Sequence, residues 1–277
     1  MSSSGLPYLS AAIAGAILGS FVNVLVWRLP KGEFPWKPAT SYCPNCRAPI
    51  RAMDNIPIIS WLLLRGRCRL CRSSISWRYP LVEATLAGLG LITLWNLGSL
   101  PHFDWFGFAG LLWFQAILIA IAIIDFQTYL IPDLLSLGLA LSMLIIAPWN
   151  PCLSSPTMTG RLASAVIGAA GAGFVFYVLA AVGEKIYKTE AMGGGDIKLA
   201  FGIGAGLGWR PLLAVVFLSS ALGLVYAAPL LLGGKLKRRS PIPYGPFLVM
   251  AAIIVLWSGE HWPKYLKIIN FPLEITP

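Results

Sequence analysis

The chain has 277 residues, 57% hydrophobic and 12% charged, with a mean hydropathy of +0.74. The charged fraction is about half that of an ordinary soluble domain, and so much apolar surface excludes both a water-soluble globule and a disordered chain. The formal net charge of +10 is a nucleic-acid signal only if the positions of the basic residues have no other cause.

A spanning helix needs about 20 residues. Charge-free stretches run at 1–27, 84–103, 105–124, 134–160, 162–183, 199–209, 211–234 and 240–258. Seven can hold a span, and 199–209 can do so only with flanking residues that include Lys198. The expected fold is an all-α polytopic membrane protein of about eight transmembrane helices. No Lys or Arg precedes the first apolar run, so it reads as a retained helix rather than a cleavable signal.

The basic residues explain themselves by topology. Segments 28–80, 184–198 and 235–239 hold seventeen of the 21 Lys and Arg, leaving only Arg161, Arg210, Lys264 and Lys267 for the other side. Eight spans put those three segments together in the cytoplasm and both termini outside. The expected organisation is a first helix over 1–27, a cytoplasmic domain over 28–80, a membrane domain over 81–258 and a periplasmic tail over 259–277. The charge then serves orientation and contact with anionic lipid, and no nucleic-acid partner is expected.

The first basic segment carries Cys43-Pro44-Asn45-Cys46 and Cys68-Arg69-Leu70-Cys71, with 21 residues between the pairs. Two C-x-x-C knuckles at near zinc-ribbon separation offer four thiolates in a tetrahedron. A reducing cytoplasm argues against the alternative of two disulfides. With all four positions filled by protein the metal would be structural. Cys152 falls across the membrane, and His102 and His261 fall in outer connections without a second histidine at ligand spacing.

Acids at membrane depth are costly and usually face a polar cavity. Glu83 opens the second span, Asp125 ends the third, Asp133 begins the fourth after Pro132, and Asp196 begins the sixth within Gly193-Gly194-Gly195-Asp196-Ile197-Lys198. The topology puts Asp125, Asp133 and Asp196 at cytoplasmic helix ends. Two carboxyls sharing one site and one proton can activate water and protonate a leaving amine, as in aspartic proteases. Helix capping is the alternative for Asp133 and Asp196, whereas at Asp125 a helix C-terminus opposes the negative charge. A proton-coupled transporter also places acids in helices, but the repeated halves usual in such proteins are not evident.

The ordered set of motifs resembles the type IV prepilin peptidases, also called leader peptidase/N-methyltransferases. It comprises Gly19-Ser20-Phe21-Val22-Asn23-Val24, Arg28-Leu29-Pro30, the two cysteine pairs, Asn55-Ile56-Pro57, Arg65-Gly66-Arg67, Arg78-Tyr79-Pro80 with Glu83, Asp125, Ile131-Pro132-Asp133, Gly193-x-Gly195-Asp196-x-Lys198 and Ile242-Pro243-Tyr244-Gly245-Pro246. The resemblance implies a bacterial inner-membrane aspartic peptidase of the Gly-x-Gly-Asp type. Such enzymes cleave the basic leader of type IV prepilins or type II secretion pseudopilins, and commonly methylate the new N-terminus with S-adenosylmethionine. It implies Asp125 and Asp196 as the catalytic pair, with Asp133, Gly193, Gly195 and Lys198 supporting them. It also implies Gly66 and Glu83 near the methyltransferase activity, and the intact cysteine loop is the mark of bifunctional members. A peptidase-only enzyme whose cysteine loop merely docks substrate is the remaining alternative.

Overall fold

Backbone polar groups inside hydrocarbon must bond to one another, which leaves the helix as the element for an apolar run of this length. The computed structural model describes residues 5–38, 40–98, 104–153, 155–188, 192–234 and 242–258. His102, His261, the basic run 235–239 and the tail over 259–277 lie outside the described residues. The α-helices are α1 (Leu6–Arg28), α2 (Ile59–Leu63), α3 (Arg78–Gly98), α4 (Trp105–Thr128), α5 (Asp133–Ile146), α6 (Met158–Tyr187), α7 (Gly194–Leu207), α8 (Leu212–Leu232) and α9 (Gly245–Ser258). Short α2 belongs to the connection between α1 and α3. Each of the other eight falls on one of the apolar stretches. Of these, α1, α3, α4, α6 and α8 are long and apolar enough to cross a membrane, while α5, α7 and α9 are shorter. The chain is an all-α polytopic membrane protein.

The centre of the bundle is α4. Its apolar window is 72% buried, against 17–39% for the other four long helices, and it packs on α1, α3, α5 and α9. Asp104 starts it by accepting the amides of Phe106 and Gly107, and Tyr129 ends it in a left-handed turn at φ 57°. Fully buried Gln115 ties three helices together: its amide nitrogen donates to Thr93 Oγ1 at 3.0 Å, and Trp257 Nε1 donates to its carbonyl at 3.2 Å.

Helices surrounded by lipid gain little from apolar burial against one another, so close packing must hold them. A methyl group at Gly168 or Gly204 would strike the backbone of the facing helix, which lets α6 and α7 meet nearly backbone to backbone. Gly19 does the same for α1 against the Glu83 backbone of α3.

Two boundaries differ from expectation. Glu83 lies more than a turn inside α3, which begins at Arg78. The charge-free stretch 134–160 is not one span: α5 closes in a 3-10 turn at Ala147–Trp149, and α6 starts at Met158. Pro148 and Pro151 lack the amides a continuing helix needs, and the freed backbone is bonded locally. Asn150, 1% exposed, donates its side-chain amide to Gly206 O at 2.7 Å and accepts Cys152 N–H at 3.0 Å. Arg161, expected in a connection, lies in the first turn of α6 and donates to Ser155 O at 3.0 Å and Pro148 O at 3.1 Å. The folded-in connection thus covers the end of short α7.

Candidate active site

Gly19 meets Glu83, Gly15 meets Leu86 and Gly90 meets Ala11, so α1 and α3 run antiparallel, and from α3 onward short connections make successive apolar helices antiparallel. The C-terminal ends of α1 and α4 therefore share one end of the bundle with the N-terminal ends of α3, α5, α7 and α9. The same end carries the cysteine-bearing segment, and is called here the basic end.

Asp125 lies in the last turn of α4, 5% exposed. Its Oδ2 accepts the amide of Gly245, the first residue of α9, at 3.0 Å. An unsatisfied amide at a helix start is a natural partner for a carboxylate. A side chain at position 245 would stand 2.7 Å from that oxygen, so only glycine brings the amide so near. Below it, the Tyr244 and Ser219 hydroxyls are 2.5 Å apart and fasten the start of α9 to α8.

Asp196 sits in the first turn of α7, half-buried and within electrostatic reach of Asp125. It does not cap the helix, because the N-cap is Gly193 and no side chain bonds there. Gly193 passes beside its carboxyl, with a notional Cβ 3.5 Å from Oδ2. Gly195 meets the α4–α5 connection: a methyl group there would be 2.9 Å from Ile131 Cβ. Gly195 thus lets the start of α7 close against the segment that follows Asp125, while Gly193 leaves room beside the Asp196 carboxyl.

Asp133 and Lys198 pair with each other. Lys198 Nζ lies 2.7 Å from Asp133 Oδ1, and both side chains are exposed. Asp133 does not cap α5, whose N-cap is Pro132. The pair links the starts of α5 and α7 and draws the one basic side chain of the Gly-x-Gly-Asp segment away from Asp196.

The four cysteines Cys43, Cys46, Cys68 and Cys71 converge, with all their sulfurs within 4.8 Å of one another. Each knuckle folds alike. Arg47 N–H returns to Cys43 O at 2.8 Å and Arg72 N–H to Cys68 O at 3.1 Å, with both arginines left-handed at φ 57° and 59°. Cys43 Sγ and Cys71 Sγ are 3.8 Å apart, far beyond a disulfide bond of about 2.05 Å. That separation matches the edge of a tetrahedron with metal–sulfur bonds of about 2.3 Å. The Ser73 hydroxyl, 3.1 Å from Cys71 Sγ, and then the Ser73 backbone hold that thiol down to about 5. The cluster has the donor set and spacing to hold a metal ion. Cys152 is a free thiol apart from it.

Glu83 is 7% exposed, and its Oε2 accepts the amide of Ile58 at 2.7 Å. Gly66 lies in the cysteine segment at φ +65°, and a Cβ there would be 2.9 Å from the Trp61 ring. Neither belongs to the Asp125–Asp196 group. Gly245 was absent from the expected site residues, although Gly-Pro at the start of an apolar run is a helix-entry signal.

The helical membrane fold and the matching families define the class, membrane-embedded aspartic endopeptidases. Residues 13–97 match the bacterial peptidase A24 N-terminal domain, and residues 112–228 match the type IV leader peptidase family. Similar proteins named prepilin leader peptidase/N-methyltransferase include one from Stutzerimonas stutzeri, 36% identical over 94% of this chain and 93% of its own. Another, from Aeromonas salmonicida, is 34% identical over 96% and 97%, and one from Neisseria gonorrhoeae is 33% identical over 91% and 93%. The chain belongs to the type IV leader peptidase family. No solved structure matches it significantly.

Proposed function

We propose that this protein removes the basic leader of type IV prepilins or type II secretion pseudopilins at the cytoplasmic face of the bacterial inner membrane, with Asp125 and Asp196 as its catalytic pair. It then methylates the new N-terminal amine. What supports the first step is that Asp125, in the last turn of α4, and Asp196, in the first turn of α7, lie at one end of the bundle, near enough for their charges to interact.

One aspartate takes a proton from water as the water oxygen adds to the scissile carbonyl, and the other donates a proton to the carbonyl oxygen. Collapse of the tetrahedral adduct breaks the C–N bond, and the leaving nitrogen takes up a proton. Gly245 N–H orients Asp125, Gly193 and Gly195 set the position of Asp196, and the Asp133–Lys198 pair steadies the two helix starts.

All eight apolar helices cross the membrane in this reading, with both termini periplasmic, as the distribution of Lys and Arg favours. Zinc is the metal suited to four thiolates, and it would brace the segment over 28–80 without touching substrate. S-adenosylmethionine supplies the methyl group when bound, and Gly66 and Glu83 are the residues assigned to that activity.

Asp125→Asn and Asp196→Asn each preserve size and remove the titrating oxygen. Both variants should insert normally, yet leave a prepilin uncut in detergent micelles, where the wild-type protein releases the leader. Full processing by either variant excludes the pair as the catalytic group.

A further inference from the structure

Between the cysteine segment and the ends of α1 and α3 lies a cavity of about 450 Å³, within the roughly 300–1,000 Å³ usual for small-molecule sites. It is separate from the Asp125–Asp196 group, and its polar lining is incompletely bonded. Asn23 is 2% exposed, and its side-chain amide donates to Tyr79 O at 3.1 Å. Its carbonyl oxygen, also buried, has no partner, although buried acceptors are nearly always satisfied. Arg78 Nε is a buried donor with no partner. Glu83 accepts the Ile58 amide but forms no ion pair among the described residues. A carboxylate and an acceptor need a cation that donates hydrogen bonds, and the arginine needs an anion.

The rest of the lining suits a flat aromatic group. Trp61 and Tyr79 face the cavity, and Trp61 Nε1 is tied to Ile75 O at 3.0 Å. Gly66 backs the Trp61 ring so closely that any side chain there would displace it. This gives Gly66 a physical connection to the cavity without lining it.

We propose that this cavity is the binding site for the methyl donor, a sulfonium nucleoside of the S-adenosylmethionine type. Glu83 and Asn23 Oδ1 take the ammonium of its amino-acid end, Arg78 takes the carboxylate, and the purine lies against Trp61 and Tyr79. Aromatic faces also favour the positive sulfonium. The assignment rests on the reading of this enzyme as a methyltransferase.

The test uses the full chain, metal-loaded and in lipid nanodiscs, titrated calorimetrically with S-adenosylmethionine. Transfer of labelled methyl to a cleaved pseudopilin is read separately. Glu83→Gln and Arg78→Gln should each weaken donor binding about tenfold or more, with metal content and the donor-free melting temperature equal to wild type. Photolabelling of the wild-type protein with an 8-azido derivative of the donor should mark peptides within 20–28 or 41–83, the segments that line the cavity. Label confined to other peptides, or wild-type affinity in both variants while wild type binds and transfers methyl, overturns the assignment. So does a Glu83→Gln enzyme that binds donor normally but shows a raised KM for leader cleavage, which would give the cavity to the basic leader. A wild-type protein that cuts but neither binds donor nor transfers methyl removes the methyltransferase reading itself, and the assignment with it.

Discussion

At position 195 a hydrogen stands where any larger group would meet Ile131. The Gly195→Ala variant puts a methyl carbon 2.9 Å from Ile131 Cβ, well inside contact distance, at the turn of α7 that carries Asp196. Helical propensity favours alanine, so the variant should fold and insert. Its cost falls on geometry, since a misplacement of about 1 Å can lower a rate about 10²-fold. Leader cleavage should drop by one to two orders of magnitude in kcat, measured on a purified prepilin. Adding Ile131→Gly removes the obstructing Cβ and should restore part of the loss. A double variant no better than Gly195→Ala alone would show that the contact does not set the position of Asp196.

Among the elements, the two knuckles, the helix ends that carry the acids and the break after α5 differ in how plainly the sequence announces them. The knuckles are legible because their ligands are local: the C-x-x-C spacing, repeated once, carries the whole geometry. Removing one thiol should therefore release the metal outright. Cys68→Ser should lower the zinc proposed for this cluster from one equivalent toward none by metal analysis, and chelation of the wild-type protein should mimic it. Methyl transfer should suffer more than cleavage in both cases, because the knuckles border the α1–α3 cavity and not the carboxyl pair. Equal loss of both activities would contradict that division. That Asp125 and Asp196 sit at helix ends on one side of the bundle was legible for a different reason, since a charge-free stretch ends at Asp125 and another begins just past Asp196 and Lys198. Two contacts were not legible. Gly245 meets Asp125 across 120 residues of sequence, and no local pattern encodes such a contact. The break at Ala147–Trp149 is hidden in a charge-free stretch, where apolar composition reads as one helix although its prolines prevent one.

At the scale of the molecule, the carboxyl pair, the four-thiol cluster and the cavity share the basic end of the bundle. A substrate cut there exposes its new amine on the face where the methyl donor is proposed to sit, so both reactions need only one side of the membrane. The orientation proposed above rests on charge. Residues 28–80 alone hold ten Lys and Arg, and basic connections stay in the cytoplasm. The opposite end is represented by the connection covering α7 and by the first turn of α6, where Thr159 is exposed. Met53, 63% exposed, marks the basic end. In a Cys152→Ser background the remaining native thiols are the four of the cluster, so cysteines added at these sites report the two faces when the maleimide is mapped to the peptide carrying residue 53 or 159. In intact cells whose outer membrane has been made permeable, a membrane-impermeant maleimide should label Thr159→Cys and spare Met53→Cys. Inverted inner-membrane vesicles should give the reverse. Labelling of both sites from the periplasmic side would contradict the shared cytoplasmic face on which cleavage and methylation are proposed to follow one another.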